Sequence, residues 1–151
     1  SEQAFAYMYQ ALRDARPSRG HGFDIVLHCN LAHELLQLGD YDDALRHIDA
    51  GLARGNERGN PRLLSVLLIN RVICLTELGR AAEALPDVAR VCAIPADAGG
   101  RGRVTAHFET LAITALLAGD AALGRSLVER ARAAEREDLP EERVELALAG
   151  A

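Results

Sequence analysis

Apolar residues along this chain fall into helical stripes separated by short polar breaks. Phe5, Met8, Tyr9 and Leu12 stand at i, i+3, i+4 and i+7, one face of a helix predicted over residues 1–16. Pro17 to Gly22 reads as the loop after it. A second helix is predicted from Phe23 to Leu38, with Asp24 favouring its N-terminus by charge and Gly39 placed for a left-handed C-terminal cap. Asp40 is placed to cap a third helix through Ala44, Ile48 and Leu52, which ends in the polar run Gly55 to Gly59. Asn60-Pro61 is a start signal, an N-cap residue followed by proline where a missing N–H costs nothing.

The helix this opens, Arg62 to Leu78, carries Leu63, Leu64, Val66, Leu67, Leu68 and Ile69 with few polar interruptions. A helix that apolar on most sides is expected to lie between neighbours. The next one contains Pro86, expected to kink it or delay its start, and Pro95 to end it. Ala96 to Gly102 is a glycine-rich loop. Arg103 to Ala118 and Ala121 to Arg136 are the last predicted pair, and Leu139-Pro140 opens a short helix to Ala149.

Gly39, Gly79 and Gly119 recur at a spacing of 40 residues. Leu38-Gly39-Asp40 with Ala44-Leu45, Leu78-Gly79-Arg80 with Ala84-Leu85, and Ala118-Gly119-Asp120 with Gly124 are three copies of one sketch. A fixed period of this length is the signature of stacked helix pairs. Shifting the first helix by the same period aligns Ala4 with Ala44, Met8 with Ile48 and Leu12 with Leu52, so residues 1–16 read as the second half of a pair. Val144 and Leu148 fall on Val104 and Phe108, so residues 140–149 read as the first half of another.

These residues resemble the tetratricopeptide repeat family: Asn30-Leu31-Ala32, then Gly39-x-Tyr41-x-x-Ala44, then Ile48 and Gly51. The second copy keeps Asn70, Gly79, Ala84, Val88 and Val91 but has Arg71 where leucine is expected. The third keeps Leu111-Ala112, Gly119, Val128 and Ala131, with Gly124 in place of alanine. The period exceeds the roughly 34 residues of the common form, so the resemblance is to long-helix variants. It implies an all-α, right-handed tetratricopeptide-like solenoid of antiparallel helix pairs. Three full repeats (23–58, 61–94 and 103–137) would be flanked by half-repeats (1–16 and 140–149), all in one domain. Small residues at Ala32, Ala44 and Gly51 let paired helices approach closely.

The same resemblance implies a concave groove lined by the first helix of each pair, where asparagine bonds a peptide backbone. The expected groove residues are Asn30, His33 and Gln37, then Val66, Ile69, Asn70, Ile73 and Glu77, then Glu109, Thr110 and Ile113. Asn30 and Asn70 are the expected polar anchors and Ile69, Ile73 and Ile113 the apolar floor. An inter-repeat hydrogen-bonding role for the two asparagines is the competing reading. Relatives that clamp a C-terminal carboxylate need basic residues where this chain has Ala106 and Thr110. The expected function is a non-catalytic protein-binding module, the sensor or scaffold part of a larger bacterial signalling or transcription regulator. Self-assembly through the terminal helices is the alternative, and enzyme activity ranks below both.

Composition narrows the classes further. All 17 basic residues are arginine against 22 acidic ones, a net charge of −5, which argues against a general nucleic-acid or anionic-membrane binder. No apolar run is long enough for a membrane span, and residues 1–16 lack a signal-peptide pattern. Cys29, Cys74 and Cys92 are odd in number and sit in apolar helical surroundings, as expected of reduced core residues in a cytoplasmic protein. Cys29 and His33 lie four apart, but two residues are half a structural zinc set, so neither metal nor cofactor is expected. His28 is expected in the core. No Cys-His catalytic pairing is evident, and Arg101 and Arg103 are expected to be solvated rather than to hold a phosphate.

Overall fold

The computed structural model describes residues 2–14, 22–55, 60–94 and 106–137. They form α1 (Glu2–Asp14), α2 (Gly22–Leu38), α3 (Tyr41–Gly55), α4 (Pro61–Glu77), α5 (Ala81–Cys92), α6 (Phe108–Leu117) and α7 (Ala121–Glu137), with no strand among the described residues. The helix expected over 140–149, the loops at 17–21 and 96–102, and the Leu12 side chain lie outside them.

Each helix pair turns on the same backbone device. Gly39, Gly79 and Gly119 take φ of 77°, 73° and 85°, the left-handed conformation that glycine adopts without a Cβ penalty. In each turn the glycine N–H donates to the carbonyl three residues back and the next N–H to the carbonyl five back. The acceptors are Leu36 and Leu35, Thr76 and Leu75, and Leu116 and Ala115. This pair of hydrogen bonds satisfies carbonyls that a helix end would otherwise leave open. The following helix starts differently in each copy. Asp40 Oδ1 accepts from the Asp43 N–H at 3.3 Å and Asp120 Oδ1 from the Leu123 N–H at 3.0 Å. Arg80 supplies no cap and instead forms a forked pair with Glu83, at 2.8 and 2.7 Å. Asn60 caps α4 as the sequence predicts, its Oδ1 accepting from the Arg62 N–H at 3.0 Å.

Consecutive helices pack on one another from α2 to α7, and α2, α4 and α6 also touch in line, forming one layer. The core runs continuously between the layers, from Ala32, Ala44 and Ile48 through Leu68, Val72 and Val88 to Leu111 and Leu127. Close approach depends on small residues at the seams. A Cβ on Gly51 would stand 3.3 Å from the Leu67 methyls, and one on Gly124 would stand 2.6 Å from Leu116.

One expectation about a helix start is corrected, and of the two effects expected of Pro86 the delay is absent. The third inner helix begins at Phe108 rather than Arg103, because Ala106 and His107 form a turn and His107, with φ −112° and ψ 4°, stands outside the helix. Pro86 does not delay α5, which starts at Ala81, in register with Tyr41 and Ala121. Pro86 and Ala82, whose carbonyl loses its helical partner there, are both exposed, so water can serve that carbonyl.

Candidate interaction face

The layer α2, α4, α6 carries the expected groove residues, and the structure sorts them into two kinds. Asn30, His33, Gln37, Glu77, Glu109 and Ile113 are exposed; Val66, Ile73 and Thr110 are half-buried. Ile69 is a correction: it is only 2% exposed and belongs to the core. Helix α4 has neighbours on both sides in its layer and two more from the other layer, so a residue that helical periodicity places beside Ile73 is already enclosed by protein. Ile113, one layer position further along, is 54% exposed.

Asn70 differs from Asn30 in the same way. It is 8% exposed, and its amide Nδ2 is buried without a hydrogen-bond partner. An unsatisfied buried donor of this kind costs about 1–3 kcal/mol, which makes it a strong claimant for a carbonyl acceptor. Nearby, α4 and α6 are joined through hydroxyls. Thr76 Oγ1 lies 2.8 Å from Thr114 Oγ1, so one donates to the other, which donates in turn to a carbonyl of its own helix.

At the end of this face α6 and α7 enclose an open cavity of about 350 Å³. Ala112, Ile113, Leu116, Val128 and Ala131 form its apolar wall, and Glu109, Arg132 and Glu135 its charged lip. Of these residues Glu109 and Ile113 are expected from the sequence, whereas the α7 side is not. Its signal was present as Val128, Ala131, Arg132 and Glu135 at i, i+3, i+4 and i+7.

Polar clusters occur away from this face. Arg71 Nε donates to Asp49 at 2.8 Å and its Nη1 to Asp87 at 2.6 Å, tying α3, α4 and α5 together. Burial opposes the Arg71 charge, and the bonds from Asp49 and Asp87 more than offset it, so the guanidinium holds its proton more tightly than usual. His28, buried as expected, lies with its Nδ1 3.0 Å from His47 Nδ1, and His47 Nε2 is 3.1 Å from Tyr9 Oη.

Burial, with Asp49 adding to it, pushes the Cys74 thiol up to about 11, far from the thiolate a nucleophile requires. Cys29 is buried while His33 is exposed, and no three His, Cys, Asp or Glu side chains among the described residues could share a metal ion. No helix of the described residues is long and apolar enough to cross a membrane.

A chain of antiparallel helix pairs joined by identical turns at a fixed period belongs to the helical-repeat class of proteins. The family model for the tetratricopeptide repeat matches residues 25–50, which cover most of α2 and α3, so this first helix pair is a tetratricopeptide repeat. Neither a curated protein nor a solved structure matches the chain. Tetratricopeptide repeats are generally protein-binding, typically non-catalytic modules, and the chain is an interaction module in that general sense.

Proposed function

We propose that the chain binds an extended or helical peptide segment of a partner protein along the face shared by α2, α4 and α6. It would act there as the sensor or scaffold part of a larger bacterial, cytoplasmic signalling or transcription regulator. The observation that carries this reading is the buried amide nitrogen of Asn70, a donor lacking any partner and set one period after the exposed Asn30. A small shift of the surrounding side chains would let a peptide carbonyl reach it. Val66, Ile73 and Ile113 then supply apolar burial, and Glu77 and Glu109 favour basic residues in the ligand.

Ligands for the test come from a displayed random-peptide library selected on the wild-type protein. Asn70→Ala is expected to weaken their binding by about 1–3 kcal/mol, the usual cost of removing a hydrogen-bond partner from a buried site, while the helical fold persists. Asn30→Ala should weaken it less, and Arg46→Ala, on an exposed part of α3, should leave it unchanged. Equal affinities for all four proteins would move the site off this face.

A second reading, self-assembly, is favoured by the exposed stripe Ile113, Leu116 and Leu117 of α6 beside the open cavity, a kind of patch that monomers seldom leave uncovered. Sedimentation of the wild type and of Leu116→Glu separates the two readings. Self-assembly requires the wild type to associate and the variant to remain monomeric.

A further inference from the structure

We propose that Tyr9, His47 and His28 form an acid-released latch holding α1 against the first helix pair. The three side chains come from α1, α3 and α2 and make an unbroken hydrogen-bonded line: Tyr9 Oη to His47 Nε2 at 3.1 Å, and His47 Nδ1 to His28 Nδ1 at 3.0 Å. The rings stack along it, Tyr9 edge-on to His47 at 5.6 Å and His28 tilted against His47 at 5.3 Å between centroids. Among the described residues this line is a polar tie of α1 to the stack. Beside it Phe5 packs on the core half-buried, Met8 is half-buried too, and Tyr7 is exposed.

The number of protons on the two imidazoles decides whether the line can exist. Two nitrogens 3.0 Å apart need a single hydrogen between them. Two neutral rings provide it in either tautomer arrangement, with the Tyr9 hydroxyl donating to His47 in one and accepting from it in the other. One added proton is tolerated, because a charged His47 donates both to His28 and to the Tyr9 oxygen. A second added proton places N–H against N–H, and the bond between α2 and α3 becomes a repulsion. The pair therefore titrates as a unit, and its second protonation is the releasing step.

The surroundings set the direction. On α3, Arg46 bears on His47 and Arg54 on His28; on α2, Asp24 faces His28 but is already engaged by Arg54 at 2.8 Å. Helix α4 brings the apolar Leu67 to the same spot beside Gly51. Burial holds both imidazoles below the ordinary histidine range, and positive neighbours add to it. The pair in the folded chain thus binds fewer protons than free imidazoles would below about pH 6.5, so the line is intact above that value, and the second protonation that breaks it comes only as pH falls further. His47, half-buried, is the ring free to swing outward, and Tyr9 and α1 leave with it.

Hydrogen exchange of the α1 amides, corrected for the intrinsic pH dependence of exchange, tests this on the intact chain. In the wild type, α1 protection is expected to fall at least tenfold between pH 7.5 and pH 5 while that of α4 and α5 stays level. Tyr9→Phe should lower α1 protection already at pH 7.5. His28→Gln, which still hydrogen-bonds but cannot titrate, should flatten the pH step, and the His47 ring resonance should then titrate once, nearer its ordinary value. Unchanged α1 protection in the wild type across this range overturns the latch. So does a pH step of full size in a folded His28→Gln protein.

Discussion

Where the second helix pair sets Arg71 against Asp87, the third carries Leu111 and Leu127 at the same places in the period. The third pair's leucines are both fully buried. Arg71 keeps about a quarter of its side chain in solvent, Asp87 almost none of its own. The first pair is different again, with Leu31 buried and His47 at the position of Asp87 and Leu127. One backbone frame thus accepts an ion pair, a leucine pair or a leucine beside a histidine. The charged solution is tolerable because Arg71 has a second partner in Asp49 and an outlet to water, which lowers the desolvation cost that burdens a sealed ion pair. It also gives something the leucines cannot, a polar tie from α4 to the preceding pair as well as to its own.

Exchanging these solutions breaks the comparison most severely when only half the exchange is made. Among the described residues, Arg71→Leu leaves buried Asp87 with only Arg90, 4.0 Å away, for company. It is expected to cost about 3–5 kcal/mol of unfolding free energy by urea titration, the usual result of removing one partner of a buried pair. Completing the exchange as Arg71→Leu with Asp87→Leu installs the third pair's arrangement. Stability is then expected to return to the wild-type level or to exceed it by about 1–4 kcal/mol. A double variant no more stable than the single one would show that the ion pair holds the seam for reasons other than its own charges.

The turns sharpen the comparison in the opposite sense, because there the pairs are alike. A Cβ on Gly39, Gly79 or Gly119 meets nothing within 4 Å, so each substitution by alanine costs only the left-handed conformation, about 1–2 kcal/mol. Thermal melts of the three single variants should therefore agree, and a clear outlier would mark a turn under some further constraint. The smallest effects belong to the caps. Asp120→Ala should cost about 1 kcal/mol, the ordinary loss of an N-cap. Arg80→Ala, at a position with no cap to lose and an exposed pair with Glu83, should cost less in the same melts.

The turns were legible because glycine at a positive φ is a local requirement that repeats, and the period made three weak signals one strong one. Ala32 and Ala44 were legible for the same reason and are fully buried. Ile69 was not, because periodicity gives a residue's face and not how many neighbours stand against that face. The start of α6 was misplaced because nothing apolar or polar distinguishes Arg103 to Ala106 from a first helical turn. The partners of His28 were out of reach for another reason: His47 and Tyr9 are distant in sequence, and no rule of spacing within a helix connects them. Arg71 stood out as an exception to the pattern, yet only the structure supplies the two carboxylates that make it a sound one.

The three turns close on backbone groups alone, with a glycine and the carbonyls of the helix just ended, and this has a consequence for the length of the molecule. Residues 40–79 begin and end at equivalent points of the same turn, so their excision joins Gly39 to Arg80 through the geometry Gly79 already has there. Duplicating them inserts a further pair by an equivalent junction. The chain can thus lengthen or shorten by whole pairs with no new way of ending a helix, and its reach changes in steps of one period, while the side chains lining each seam drift separately.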